Sequence, residues 1–160
     1  MVNDGSMAAL LARGLVEKRP LTLTTKNAAV LDQLRDQPGI TLIALGGAFS
    51  AKYNAFFGGI TENTLSRLRA DIAFISTPMV LGGRAFHMDD DVVRTNRAMM
   101  DTATQSCLLI NHIRFGRSAL HLLADLREFA AIITDTAPDA EEAAALDQAG
   151  ITLTIAMEDA

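Results

Sequence analysis

Several short stretches of this chain carry groups that could do chemistry. Asp4-Gly5-Ser6 follows an apolar stub and stands directly before a helix-length periodic segment. Amides at a helix N-terminus point outward and carry partial positive charge. Gly5 would let a phosphate approach the backbone, and the Ser6 hydroxyl would add a donor. The same triplet also serves as an ordinary N-cap. Leu45-Gly46-Gly47 can be a tight strand exit or a loop whose amides face a ligand. Asp89-Asp90-Asp91 opens a helix, where carboxylates complement the macrodipole on a solvated face; Asp91 or a neighbour could instead accept the hydroxyls of a sugar. Arg94 and Arg97 share one face of that helix, placed to hold an anion or to pair with Asp90 and Asp101. Asn111-His112-Ile113-Arg114-Phe115-Gly116 follows a strand. Arg114 there could grip a phosphate through parallel N–H bonds, or lie over the loop as a surface side chain.

Other chemistries have no support. His87, His112 and His121 have no metal-ligand spacing to Cys107 or to carboxylates and read as structural or surface residues. Cys107 is the single cysteine, so no intrachain disulfide can form; in Ser106-Cys-Leu-Leu-Ile110 it reads as a small core residue. There is no Gly-x-Gly-x-x-Gly fingerprint, no Walker sequence and no Gly-x-Ser-x-Gly elbow. No catalytic residue, metal or cofactor is assigned.

The elements that must position these residues alternate. Helical periodicity covers Ser6 to Lys18, ended by Pro20, and Leu21–Thr24 follows as a strand. Asn27 caps a helix over Ala28–Leu34, Pro38-Gly39 turns, and Ile40–Leu45 is the next strand. An irregular loop is expected from Ala48 to Gly59, a helix over Thr61–Leu68 and a strand over Ile72–Ser76. Helices are then expected over Asp90–Thr104, Ala119–Leu126 and Asp139–Ala149, and strands over Cys107–Ile110, Ala131–Thr134 and Ile151–Met157. Such alternation predicts an α/β fold, a mostly parallel sheet with helices on both faces. Ligands on such sheets bind beyond the carboxyl ends of the strands, and the motifs above fall there.

The chain has 160 residues, 49% of them hydrophobic, which predicts one domain over 1–160 with a sizeable aliphatic core. A net charge of −5 argues against direct nucleic-acid binding, though not against a local anion site. No signal peptide and no run long enough for a membrane span stand out, so a cytoplasmic protein is expected.

Read in order, the segments resemble the C-terminal effector-sensing domain of DeoR-type bacterial transcription repressors, from about Asn3 to Met157. The residues that carry the resemblance are Gly5-Ser6-Met7, Thr25-Lys26-Asn27, Leu45-Gly46-Gly47, Gly58 or Gly59, and Asp71-Ile-Ala-Phe74. They continue through Gly83, Asp91, Asn96-Arg97-Ala-Met99, Asn111 to Gly116, and Ala130 to Asp135. The resemblance implies a fold like ribose-5-phosphate isomerase, glucosamine-6-phosphate deaminase and the CoA transferases. It implies a regulator rather than an enzyme, a phosphorylated sugar or related metabolite as effector, and a homo-oligomer. DNA would be bound only through an N-terminal winged helix-turn-helix that this chain lacks. The phosphate would rest on Gly5, Ser6, Gly46, Gly47, Lys26 and Arg114, beside Asp4. Hydroxyls would meet Asp91, Thr25 and Asn111, with Lys52 and Arg97 as second-tier candidates. Asn111, Arg114, Lys26 and Met7 depart from the family motifs, where Asp, Lys, Asn and a hydroxyl residue stand. The rival expectations are a small sugar-phosphate isomerase with Asp91 as base, and an oligomerisation module with a vestigial pocket.

Overall fold

The computed structural model describes residues 1–156. Along the chain lie α1 (Ser6–Leu15), β1 (Leu21–Thr25), α2 (Ala28–Leu34), β2 (Ile40–Ala44), β3 (Ala48–Ser50), β4 (Ala55–Phe57), α3 (Gly59–Leu65) and β5 (Ala70–Ser76). They are followed by β6 (Met79–Leu81), β7 (Arg84–His87), α4 (Asp90–Thr102), β8 (Ala103–Ile110), β9 (His121–Asp125), β10 (Ala131–Thr134), α5 (Ala140–Gln148) and β11 (Thr154–Ile155).

The main sheet is parallel throughout: β1 pairs with β2, and β8 with both β5 and β10, which in turn pairs with β11. Val2 joins these two groups by bridging Thr25 and Phe74, both in parallel sense. Its N–H donates to Thr24 O at 3.0 Å, and the next N–H, of Asn3, donates to Phe74 O at 3.1 Å. The strand order is therefore β2-β1-Val2-β5-β8-β10-β11. The fold is α/β, as the alternation predicts.

Pleating decides which face each side chain serves. On β5, Ala73 and Ile75 enter a core with Val93, Met99 and Met100 of α4 and Leu146 of α5. Phe74, between them, packs on the opposite side with Val2, Leu23, Ala8 and Ala12 of α1, and Val30 and Leu34 of α2. Ile75 and Leu108 are fully buried in the larger core. Each such aliphatic side chain contributes about 1.5–3 kcal/mol by leaving water. Local signals end the helices: Asn27 Oδ1 accepts the Ala29 N–H at 2.9 Å, and Gly150 takes φ 70° after α5.

The sequence-based expectations differ from the structure in four places. The segment Ala48–Gly59 is not an irregular loop but a hairpin, β3 pairing antiparallel with β4, turned at Asn54 with φ 49°. A second hairpin, β6 with β7, was not expected at all. Its two-residue turn is Gly82-Gly83, both at positive φ (55° and 74°), the geometry that matches strand twist. The segment expected as a helix over Ala119–Leu126 is strand β9, paired antiparallel to β7. Its apolar run fits either period, and the open edge of β7 decides the outcome. The last strand is limited to Thr154–Ile155, and Met157 lies outside the described residues. Smaller shifts place the third helix at Gly59–Leu65 instead of Thr61–Leu68 and start β8 at Ala103.

Candidate functional site

A cleft of about 360 Å³ opens at the carboxyl ends of the central strands. It is bordered by Asp4 and Gly5 just beyond Val2, by Ser76 and Thr77 at the end of β5, and by Leu109 and Asn111 at the end of β8. This is where an open parallel sheet gathers its strand-end loops.

The loop Asn3-Asp4-Gly5 is fixed on the end of β5. Asn3 imitates a strand neighbour, its Oδ1 accepting the Ser76 N–H and its Nδ2 donating to Ser76 O, each at 3.1 Å. Ser76 Oγ donates to Asp4 O at 2.9 Å. Gly5 has φ 113°, and a Cβ there would lie 2.6 Å from Ser76 Oγ, so any other residue would strain the loop and displace that hydroxyl. Gly5 is the N-cap of α1, and no side chain caps that helix. By contrast, Asn27, Asp89 and Asp139 side chains cap α2, α4 and α5. The first amides of α1 therefore stand uncapped where Gly5, Ser6 and Met7 border the cleft.

Arg114 borders the same cleft from a short 3-10 turn, His112–Arg114. That turn is anchored from behind. Asn111 Oδ1 accepts the Ile113 N–H at 3.1 Å, and Asn111 Nδ2 donates to Asp135 at 2.7 Å. Asp135 also accepts the His112 N–H at 2.7 Å and lies 2.9 Å from His112 Nδ1. Burial works against Asp135 ionisation, but the His112 hydrogen bonds prevail and hold its carboxyl down to about 2. Arg114 is exposed and has no acidic partner among the described residues.

Below the cleft lies a buried ion pair. Lys26 Nζ is 2.6 Å from Asp4 Oδ1, with the side chains 0% and 8% exposed. Neither atom has another hydrogen-bond partner among the described residues, and the ammonium also sits 3.9 Å from the centre of the Phe57 ring. Burial pulls the Lys26 pKa down, and Asp4 opposes that shift. His87, nearly buried, closes one side of the cleft beside Tyr53, with ring centres 5.6 Å apart. Its Nδ1 accepts the Asp89 N–H at 3.0 Å.

Of the residues named from sequence, Asp4, Gly5, Ser6, Asn111 and Arg114 border one cleft. Lys26 lies beneath it as the partner of Asp4. The others do not border it. Thr25 is fully buried and donates to Val2 O at 2.8 Å. Gly47 has φ 143°, and a Cβ there would meet the Thr61 hydroxyl and lie 2.6 Å from Phe57 O. The Thr61 hydroxyl donates to Gly46 O at 2.7 Å, so the Gly-Gly pair packs β2 against α3. Asp91 is exposed and pairs with Arg94, which also holds Asp90 and Glu62. Arg97 pairs with Glu128 at 2.7 Å rather than with Asp101. Lys52 is exposed, its ammonium 4.6 Å from the centre of the Tyr53 ring. Ser76 and Thr77, at a strand end where the topology expects ligands, also border the cleft, whereas sequence reasoning missed His87 and Tyr53. The signal for His87 was the Gly82-Gly83 hairpin, which carries β7 back to the strand ends. Among the described residues, no group of His, Cys, Asp and Glu could hold a metal ion, and no helix is long and apolar enough to cross a membrane.

A parallel α/β sheet with a cleft over its strand ends, bordered by several polar side chains, defines a small-molecule-binding domain class. The model of the DeoR C-terminal sensor domain matches residues 1–136, and the chain belongs to that family. It is 28% identical over 133 residues to the L-fucose operon activator of Haemophilus influenzae, covering 82% of this chain and 53% of that protein. It is 28% identical over 140 residues to the HTH-type transcriptional repressor GlcR of Bacillus subtilis, covering 86% and 54%. To the glycerol-3-phosphate regulon repressor of Escherichia coli it is 24% identical over 138 residues, covering 86% and 55%. The chain spans about half the length of these curated relatives.

Proposed function

We propose that this domain senses a phosphorylated sugar or related small phosphate ester in the cleft at the strand ends. The observation that carries this reading is the convergence on one cleft of an uncapped helix N-terminus, Gly5-Ser6, and the Arg114 guanidinium, which no carboxylate among the described residues neutralises. A phosphate placed between them would accept from backbone amides, the Ser6 hydroxyl and the Arg114 fork. The cleft is partly open and mixed in lining, with Asp4, Ser6, Ser76, Thr77, His87 and Arg114 on its border, which gives an anion with hydroxyls several polar partners. Gly46, Gly47, Thr25, Asp91, Lys52 and Arg97 support the fold or decorate the surface in this reading.

In the whole protein, occupancy of the cleft would shift a homo-oligomer between states and so change the DNA affinity of a winged helix-turn-helix module. The names of the relatives, activators and repressors of sugar and glycerol-3-phosphate systems, support a regulator. An isomerase on this scaffold would need Asp91 as a base inside the cleft, and Asp91 is on the outer surface of α4. The test is a thermal-shift and calorimetric panel of sugar phosphates against their unphosphorylated parents, with Arg114→Ala alongside. Phosphorylated compounds should raise the melting temperature and lose most of that effect in R114A. Equal response to phosphorylated and unphosphorylated sugars would refute the reading.

A further inference from the structure

The cleft has an end that the phosphate reading leaves unused. Asp4, His87 and Tyr53 border it, yet a carboxylate and an aromatic wall are poor company for a phosphate. Asp4 turns Oδ1 fully inward onto Lys26, while Oδ2 has no protein donor among the described residues. The ion pair thus fixes the rotamer of Asp4, leaving one oxygen as an acceptor.

His87 complements it. Because Nδ1 accepts the Asp89 N–H, the neutral ring carries its proton on Nε2. Nε2 has no protein acceptor among the described residues, although the residue is only 8% exposed. Burial keeps the ring below its usual range of protonation, with Asp4 and Asp89 opposing and Lys26 assisting, so it stays a neutral single donor. The ring packs at a tilt of 56° against Tyr53, itself packed edge-on to Phe57 at 5.7 Å. A fixed neutral donor beside a fixed carboxylate acceptor matches a hydroxyl pair, which both gives and receives hydrogen bonds. It does not match a second anion.

We propose that His87 and Asp4 form the hydroxyl-reading end of the cleft, His87 Nε2–H donating to one hydroxyl and Asp4 Oδ2 accepting from it or its neighbour on a phosphorylated sugar or polyol. This rests on the phosphate reading above and deepens it. The phosphate lies at Gly5-Ser6 and Arg114, and the carbon chain with its hydroxyls crosses the cleft towards Asp4 and His87. Selectivity among phosphate esters then comes from this pair, and the guanidinium sets only that an anion is bound. Of the residues that the sequence alone placed in this role, Asp91 and Thr25 lie off the cleft, and Asn111, which borders it, is engaged with Asp135 and the Ile113 N–H; the role moves to Asp4 and His87.

The experiment compares wild type, His87→Phe and Arg114→Ala by calorimetry, using inorganic phosphate, glycerol 3-phosphate, ribose 5-phosphate and glucose 6-phosphate as probes. Phe keeps the ring packing on Tyr53 and removes the Nε2 donor. H87F should weaken the best sugar or polyol phosphate about tenfold and inorganic phosphate less than twofold. R114A should weaken all of them together. Nitrogen NMR of the His87 imidazole keeps the idea testable even if H87F unfolds: Nε2 should shift with a sugar phosphate and not with inorganic phosphate. If sugar phosphates bind wild type and H87F equally, or the Nε2 signal does not move, the hydroxyl-reading role is wrong while the phosphate site stands. If none of the four compounds binds wild type, both fall.

Discussion

Lys26→Met is the substitution that most directly tests the energetics under the cleft. Met has a similar length, keeps apolar contact with Phe57 and removes only the charge. The structure places the ammonium at 0% exposure and the Asp4 side chain at 8%. Removing Lys26 therefore leaves Asp4 Oδ1 buried with no other partner among the described residues. Breaking such a pair from one side costs about 3–5 kcal/mol, because a desolvated charge remains. The slight exposure of Asp4 puts the expected loss near the lower end, about 3 kcal/mol. A domain of this size has about 5–15 kcal/mol in total and moves about 2–4 °C per kcal/mol, so the melting temperature should fall by about 10 °C. The assay is equilibrium urea denaturation at pH 7, followed by circular dichroism, for K26M, D4N and the double variant. Neutralising both partners should recover part of the loss, with a coupling of about 1 kcal/mol or more. A K26M variant within 1 kcal/mol of wild type, or strict additivity in the double variant, would refute the argument.

Further expectations concern backbone fit and pH. Gly5→Ala should keep the fold but abolish binding of any phosphate probe, since the new Cβ lands on Ser76 Oγ and the left-handed φ disfavours it; calorimetry on the folded variant checks this. Gly47→Ala should instead cost about 1–3 kcal/mol of stability, read as a lower urea midpoint, because its Cβ meets Thr61 and the Phe57 carbonyl. The His87 pKa is lowered in the folded state, chiefly by burial, so below pH 6.5 the unfolded chain takes up a proton that the folded chain refuses. Stability should then decline as pH falls from 6.5 towards the folded pKa, by at most about 1.4 kcal/mol per pH unit from this group. Urea midpoints at pH 7.5 and 5.5 should differ less in H87F than in wild type.

The parallel framework was readable because its strands are apolar runs between capped helices. Asn27, Asp139 and Gly150 mark boundaries by local chemistry that tertiary contacts do not override. The antiparallel elements were not readable in the same way. β9 is an apolar run whose partner, β7, lies more than thirty residues earlier, so its local period does not decide between strand and helix. The hairpin at Gly82-Gly83 did carry a turn signal, and overlooking it hid His87 from the cleft. For the candidate site, Asp4, Gly5, Ser6 and Arg114 were legible since strand ends converge by topology. Gly46-Gly47 misled because glycines needed for close packing and glycines needed for ligands look identical in one sequence. The Asp4–Lys26 pair was invisible as a pair: twenty-two positions separate residues that the pairing of Val2 with β1 makes adjacent.

That bridge has a mechanical consequence. In the backbone ladder of the main sheet, the β1–β2 half meets the β5–β11 half through Val2, with Asn3 completing the lattice by its side chain. One segment thus ties both halves, the Val2 N–H reaching Thr24 O and the Asn3 N–H reaching Phe74 O. The residues that follow immediately, Asp4 to Ser6, form the rim of the cleft. A guest gripping that rim would brace the segment that ties the two halves, and proton exchange at the β1 amides would report its arrival from a distance.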